Sequence, residues 1–329
     1  MRFVIYGAGA IGGTIGGRLF EAGHDVTLIA RGAHAEALRT RGLELASTAG
    51  SAVLPVPTVE RPGDAGLQPG DVVLLAMKSQ DTAAAVAALT TEVPAAVAAE
   101  LVVVCAQNGV ENERVVLRSL PRVYGMAVLC PATHLEPGRV LVHSSPVSGL
   151  LDLGRYPVGP VGSVDATAEA IAAAVREATF DAQALDDIMR WKYRKLILNL
   201  ANAAIAVCGP VDGIGALLRI VQAEGEACLA AAGLEVASRD EDRERRGDLL
   251  KIEPVEGDQR PGGSSWQSLA RGLGSIETDY LTGEIVLLGR LHGVPTPANE
   301  LLQRLANEMA HERRAPGTLT VDEVLALLA

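Results

Sequence analysis

Residues 1–30 read MRFVIYGAGAIGGTIGGRLFEAGHDVTLIA, and six of the first seventeen are glycine. Glycine is the costliest residue to order, so such a cluster calls for a turn or a close backbone approach. The order of the pieces supplies the reason. Phe3–Tyr6 is a short apolar run of strand character. Gly7-Ala8-Gly9-Ala10-Ile11-Gly12 then matches G-x-G-x-x-G, Thr14 to Glu21 has helical character and stops at Ala22-Gly23, and Asp25 to Ala30 reads as a second strand. Strand, glycine turn, helix and strand within about thirty residues is the pattern of a dinucleotide-binding unit. Gly7 permits the tight turn, Gly9 lets backbone approach a pyrophosphate, and Gly12 lets the helix pack close to the strand. The helix N-terminus offers N–H groups and a positive dipole end to the phosphates. The whole turn, Gly7, Ala8, Gly9, Ala10, Ile11 and Gly12, is the candidate cofactor contact.

The end of the second strand selects the dinucleotide. An NAD site usually places Asp or Glu there to hold the ribose 2′-OH. Here the chain reads Leu28-Ile29-Ala30-Arg31-Gly32, so the acid is missing and Arg31 takes its place. A guanidinium grips a 2′-phosphate through two hydrogen bonds. NADP(H) is therefore expected over NAD(H), the alternative being that Arg31 is a solvated surface residue.

Two further apolar runs, Asp71 to Met77 and Leu101 to Ala106, have the continuous hydrophobicity of buried parallel strands. Ligands in such folds bind beyond the carboxyl ends of the strands. Lys78 follows the first run and is placed to reach cofactor or substrate, and Asp81 or Thr82 is expected to cap the next helix. Asn108 follows the second run. It is a candidate for the nicotinamide amide or a substrate oxygen, or it serves plain Asn-Gly turn chemistry. Val123 to Leu153 breaks into short apolar stretches separated by Pro, Gly and Ser, as for antiparallel strands at one sheet edge. Ala166 to Ala178 reads as a helix and Phe180 to Leu185 as a last short strand.

From Asp186 the pattern turns helical, opening on an acidic first turn. Trp191, Lys195 and Asn199 recur at four-residue spacing and share one helical face, either a polar site or a surface stripe. Ser238 to Gly263 is charged and then rich in Pro and Gly, so it reads as a helix end and an exposed loop. Ser264 is the expected N-cap of a helix beginning Ser264-Ser265-Trp266-Gln267. Further helices cover the rest. The expected organisation is an N-terminal Rossmann-type α/β domain over residues 1–183 and an all-helical domain over 184–329.

Composition narrows the function. The 329 residues are 48% hydrophobic but only 3% aromatic, and the formal net charge is −11. That excess of acid argues against nucleic acid as a partner, while a local cationic pocket still admits a small anion. Cys105, Cys130, Cys208 and Cys228 show no metal-ligand spacing, and no histidine pair does, so no metal is expected and the thiols are read as buried. No uninterrupted apolar stretch of about twenty residues occurs, and the first residues lack the pattern of a signal peptide. The expectation is a cytoplasmic protein with no membrane contact.

Six segments taken together, GAGAIG (7–12), MKSQDT (77–82), QNGVEN (107–112), RKLILN (194–199), SSWQSL (264–269) and IETDYLTGEI (276–285), resemble the ketopantoate reductase family in content and order, as does HGVPTP (292–297). The resemblance covers nearly the whole chain. It implies NADPH-dependent reduction of a 2-oxo acid, with 2-dehydropantoate becoming (R)-pantoate on the route to pantothenate and coenzyme A. It implies Lys195 as general acid and Glu277 as the carboxylate that anchors substrate hydroxyl and cofactor. Asn199 and Ser265 match substrate-binding positions, and Lys78 and Asn108 match positions near the adenosine phosphate and nicotinamide groups. A homodimer is an open option. Family members often carry Asn where this chain has Ala203 and Thr282, which leaves open a related reductase acting on another 2-oxo acid or ketone. A non-catalytic NADP-binding regulator is the remaining alternative, disfavoured by the presence of both Lys195 and Glu277.

Overall fold

The structure, a computed structural model, describes residues 1–159, 164–257 and 262–328. In chain order the elements are β1 (Arg2–Tyr6), α1 (Ala10–Glu21), β2 (Asp25–Ile29), α2 (Gly32–Arg41), β3 (Leu43–Ser47), β4 (Gly50–Leu54), β5 (Thr58–Val59), β6 (Val72–Leu75), α3 (Thr82–Glu92), α4 (Ala95–Ala98), β7 (Val102–Cys105), α5 (Asn112–Leu117) and β8 (Val123–Leu129). They continue with β9 (Ala132–Thr133), β10 (Arg139–Val142), β11 (Ser144–Pro146), β12 (Leu150–Tyr156), α6 (Ala166–Glu177), α7 (Ile188–Cys208), α8 (Gly215–Ala231), α9 (Arg239–Arg246), β13 (Leu250–Ile252), α10 (Ser264–Ala270), α11 (Thr282–His292), α12 (Pro297–His311) and α13 (Val321–Ala326). The chain divides into two compact units. The first holds most of the chain up to Lys192 and the segment that starts at Asp240. The second holds Asn108–Val110, Tyr193–Arg239 and the C-terminal helices.

A seven-stranded sheet organises the first unit, in the order β12-β8-β7-β6-β1-β2-β5. All neighbours are parallel except β8 and β12, which pair antiparallel at the edge. The period-2 alternation of strand side chains divides the apolar residues between two faces. Phe3, Ile5, Leu28, Leu74 and Val104 pack with Ile15 and Leu19 of α1 and Ile171 of α6. Val4, Tyr6, Ile29, Leu75 and Val103 pack with Val86 and Leu89 of α3. Helices on both faces explain why these strands read as unbroken apolar runs. In the second unit α11 lies against α8 and α12, and Glu224 accepts from the Ala298 and Asn299 backbone N–H groups at 2.9 and 3.0 Å, closing the start of α12.

Several local expectations are corrected. Of the strands read between residues 123 and 153, only β8 and β12 join the main sheet. β9 and β10 belong to a four-stranded sheet with β3 and β4, a hairpin that alternation alone left unread. Residues 180–185 form isolated bridges to β12 rather than a strand, because the Asp152 side chain takes the Gln183 N–H at 3.0 Å. Helix α7 starts at Ile188, after Asp187 at a φ of 49°, so Asp186 and Asp187 lie outside its first turn. Neither Asp81 nor Ser264 caps a helix through its side chain. The N-cap positions of α3 and α10 are Asp81 and Gly263, without a side-chain bond, and Thr82 directs its hydroxyl elsewhere. Part of the expected Pro/Gly loop, residues 258–261, lies outside the described residues. Among those described, no helix is long and apolar enough to cross a membrane.

Candidate active site

In the first unit the glycine turn lies at the carboxyl ends of β1, β2 and β6. Gly7 N–H donates to Ile29 O at 3.0 Å. Gly7 has a φ of +100°, and a Cβ there would stand 2.6 Å from Met77 N, so no other residue fits this turn without strain. Helix α1 starts at Ala10, so the second half of the motif is already its first turn. Gly9 occupies the N-cap without a side-chain cap, and a Cβ there would meet only His134 Cδ2, at 4.0 Å. Bare backbone and uncapped first-turn N–H groups fit a diphosphate. Arg31 is exposed at the N-cap of α2, with its guanidinium 3.4 Å from the Tyr6 hydroxyl. No carboxylate ends β2.

His34, unassigned from sequence, braces this turn. Its Nε2–H donates to Ala8 O at 2.8 Å and its Nδ1 accepts the Gly138 N–H at 2.9 Å. One nitrogen donates and one accepts, which is the neutral imidazole. A lone His in a helical stretch carries no sequence signal for such a role.

Beyond β6, Lys78 stands half-buried ahead of a 3₁₀ turn, Ser79–Asp81. Here MKSQDT and QNGVEN are tied together. Thr82 Oγ1 donates to Asn112 Oδ1 at 2.7 Å, Gln107 Nε2 donates to Thr82 Oγ1 at 2.7 Å, and Asn112 Nδ2 donates to Ser79 Oγ at 3.0 Å. All four side chains are buried. Asn108 is half-buried and precedes Gly109, whose φ is 78°.

In the second unit α7 carries Lys195 and, one turn later, Asn199. Asn202 Nδ2 donates to Asn199 Oδ1 at 3.4 Å, and a Cβ on Gly263 would fall 2.5 Å from Asn202 Oδ1. The start of α10, with Ser264 and Ser265, is thus pressed against the Asn199–Asn202 stretch. The Asn199 amide nitrogen and the Ser265 hydroxyl are buried without a hydrogen-bond partner among the described residues. Glu277 is buried at the head of a second 3₁₀ turn, Glu277–Tyr280. Ala203 is buried as well. Thr282 is fully buried with its hydroxyl donating to Thr278 O at 3.0 Å, so that group is already used within the turn.

A largely parallel sheet with a glycine turn at its switch from β1 to α1 is a dinucleotide-binding unit, and the same chain carries Lys195 and Glu277 in its helical second unit. The chain belongs to the ketopantoate reductase family. Residues 3–157 match the family model described as ketopantoate reductase PanE/ApbA, and residues 187–310 match its C-terminal counterpart. A 2-dehydropantoate 2-reductase of Archaeoglobus fulgidus is 30% identical, with 92% of this chain and 96% of that protein covered. The enzyme of the same name from Pyrococcus horikoshii is 29% identical over 93% and 96%. Among solved structures, a PanE/ApbA family ketopantoate reductase from Ralstonia eutropha JMP134 superposes with a TM-score of 0.76 at 29% identity, covering 95% and 99%. A D-mandelate dehydrogenase solved with NADH and anilino(oxo)acetate has a TM-score of 0.79 at 21% identity over 95% and 99%, a likeness of fold. The cofactor of this family is a nicotinamide dinucleotide and its substrate a small keto acid.

Proposed function

We propose that this chain reduces 2-dehydropantoate to (R)-pantoate with NADPH, and that Lys195 is the general acid. Bound dinucleotide supplies the hydride. Hydride addition builds negative charge on the keto oxygen, and an ammonium within hydrogen-bond reach stabilises that charge and delivers the proton. The observation that carries the reading is the Asn199 amide, one turn from Lys195, whose nitrogen is buried without a hydrogen-bond partner among the described residues. An unmade buried hydrogen bond costs about 1–3 kcal/mol, and a 2-oxo acid brings the acceptor oxygens that remove that cost. The Ser265 hydroxyl is a second such group. Glu277 anchors the substrate hydroxyl. Gly7 to Gly12 receive the diphosphate, Arg31 the 2′-phosphate, and Lys78 and Asn108 complete the cofactor contacts.

A different 2-oxo acid is the second reading. It is favoured by Ala203 and Thr282, which offer a ligand no free polar group at two positions where relatives often carry Asn. NADPH oxidation assayed with 2-dehydropantoate beside a panel of 2-oxo acids separates the two. Turnover with 2-dehydropantoate at least as efficient as with any other acid supports the first reading, and selective turnover of another acid replaces it with the second.

A further inference from the structure

Lys192 and Glu113 form an ion pair whose side chains are 2% and 0% exposed. The Lys192 ammonium also donates to the carbonyl oxygens of Cys105, at 3.5 Å, and Gln107, at 3.3 Å. Cys105 ends β7, and Gln107 follows two residues later, directly before Asn108. The strand end is turned there, since Ala106 N–H is shared between Leu75 O and Val104 O. Glu113 opens α5 from the far side of the same loop. One ammonium therefore gathers both ends of the stretch 107–113, while the Gln107–Thr82–Asn112 chain grips the same stretch through its side chains.

Stability does not explain the pair. A buried ion pair is on balance no more stabilising than apolar residues of the same volume. This one is also incomplete, because Glu113 Oε2 has no hydrogen-bond partner among the described residues, and a half-satisfied network costs more than an apolar core. What the charges supply and apolar side chains cannot is direction, namely two backbone carbonyls held toward one point.

We infer that Lys192 and Glu113 are positioning residues that set the Gln107–Asn108 backbone where the nicotinamide end of the dinucleotide is received. The inference rests on the role proposed for Asn108. Neither residue touches the reacting atoms. Lys192 lies three residues before Lys195 on α7, but its own partners are backbone.

The test is K192M/E113L, which removes both charges together and so avoids a stranded buried carboxylate. Affinities are measured for whichever of NADPH or NADH the parent binds, and for the matching fragment without nicotinamide, 2′-phospho-ADP-ribose or ADP-ribose. The expected result is a melting temperature at or above that of the parent, unchanged affinity for the fragment, and affinity for the whole dinucleotide about 10-fold weaker. Where the parent turns over, kcat/KM falls on the order of 100-fold, the scale of a small misplacement at a reacting centre. Two results overturn the inference. Either both affinities stay unchanged, or both fall in step with a lower melting temperature, which marks a merely structural pair. The affinity comparison requires no turnover, so a mistaken 2-oxo acid assignment leaves it readable.

Discussion

The Thr82 hydroxyl donates to the Asn112 side-chain oxygen at 2.7 Å, linking the loops that follow two neighbouring parallel strands. The same hydroxyl accepts from Gln107 at 2.7 Å, so one buried atom serves both motifs. Thr82→Val keeps the shape and removes both bonds, leaving two buried amide groups short of partners. The expected loss is about 1–3 kcal/mol, read as a lower denaturation midpoint, and Thr82→Ser should recover most of it. An unchanged midpoint in the Val variant would contradict this account of the two loops.

Gly7 and Gly9 are expected to respond differently to the same added methyl. At Gly7 the positive φ and the nearby Met77 N make Ala a packing and backbone fault, costing on the order of 1–3 kcal/mol. At Gly9 there is room, so Gly9→Ala should melt like the parent. Its methyl nevertheless occupies the backbone face offered to the diphosphate, and the KM for dinucleotide should rise by at least about 10-fold, a loss of roughly 1.4 kcal/mol. Equal melting losses in the two variants would sink the distinction.

Arg31→Asp tests cofactor choice. Losing a charge-assisted bond to a 2′-phosphate and placing a carboxylate in its stead should weaken NADPH by about 10- to 100-fold, from the roughly 1.5–3 kcal/mol of such a bond. NADH should improve, since Asp suits a ribose 2′-OH. If the ratio of the two affinities does not move, Arg31 is a surface residue.

Cys208 gives a pH dependence with a definite sign. Burial, and then the Glu323 carboxylate, push its thiol from an ordinary 9.0 up to about 11. The folded-state value is raised, so its contribution is complete below the unfolded thiol's value and is lost as pH rises toward that of the folded thiol. The stability difference between parent and Cys208→Ala should therefore shrink between about pH 8 and pH 11. A difference that stays constant with pH would refute this.

The glycine turn is legible in the sequence because its requirements are local. A turn at positive φ and an uncapped helix start fall within a few positions of each other, and glycine there has few substitutes. The Lys195–Asn199 spacing is legible for the same reason, as one turn of helix. Residues whose partners are remote in sequence were not. Lys192 and Glu113 are 79 residues apart, and His34 reaches Gly138 across 104; nothing nearby in the chain marks them. The β3–β4 hairpin escaped for another reason. β4 is largely exposed, reading exposed, exposed, intermediate, exposed, buried, so it lacks a clean apolar alternation. Thr282, read as a departure from the family's frequent Asn, bonds within its own turn.

The central claim is that this chain reduces 2-dehydropantoate with Lys195 supplying the proton. The most direct measurement is NADPH oxidation with 2-dehydropantoate by the parent and Lys195→Ala side by side, with NADPH affinity determined for each. The account predicts ready turnover by the parent, a kcat about 10²- to 10⁴-fold lower in the variant, and NADPH affinity equal in both. Turnover in the variant equal to the parent's would remove Lys195 from the chemistry, and a parent inactive with 2-dehydropantoate but active with another 2-oxo acid would contradict the substrate.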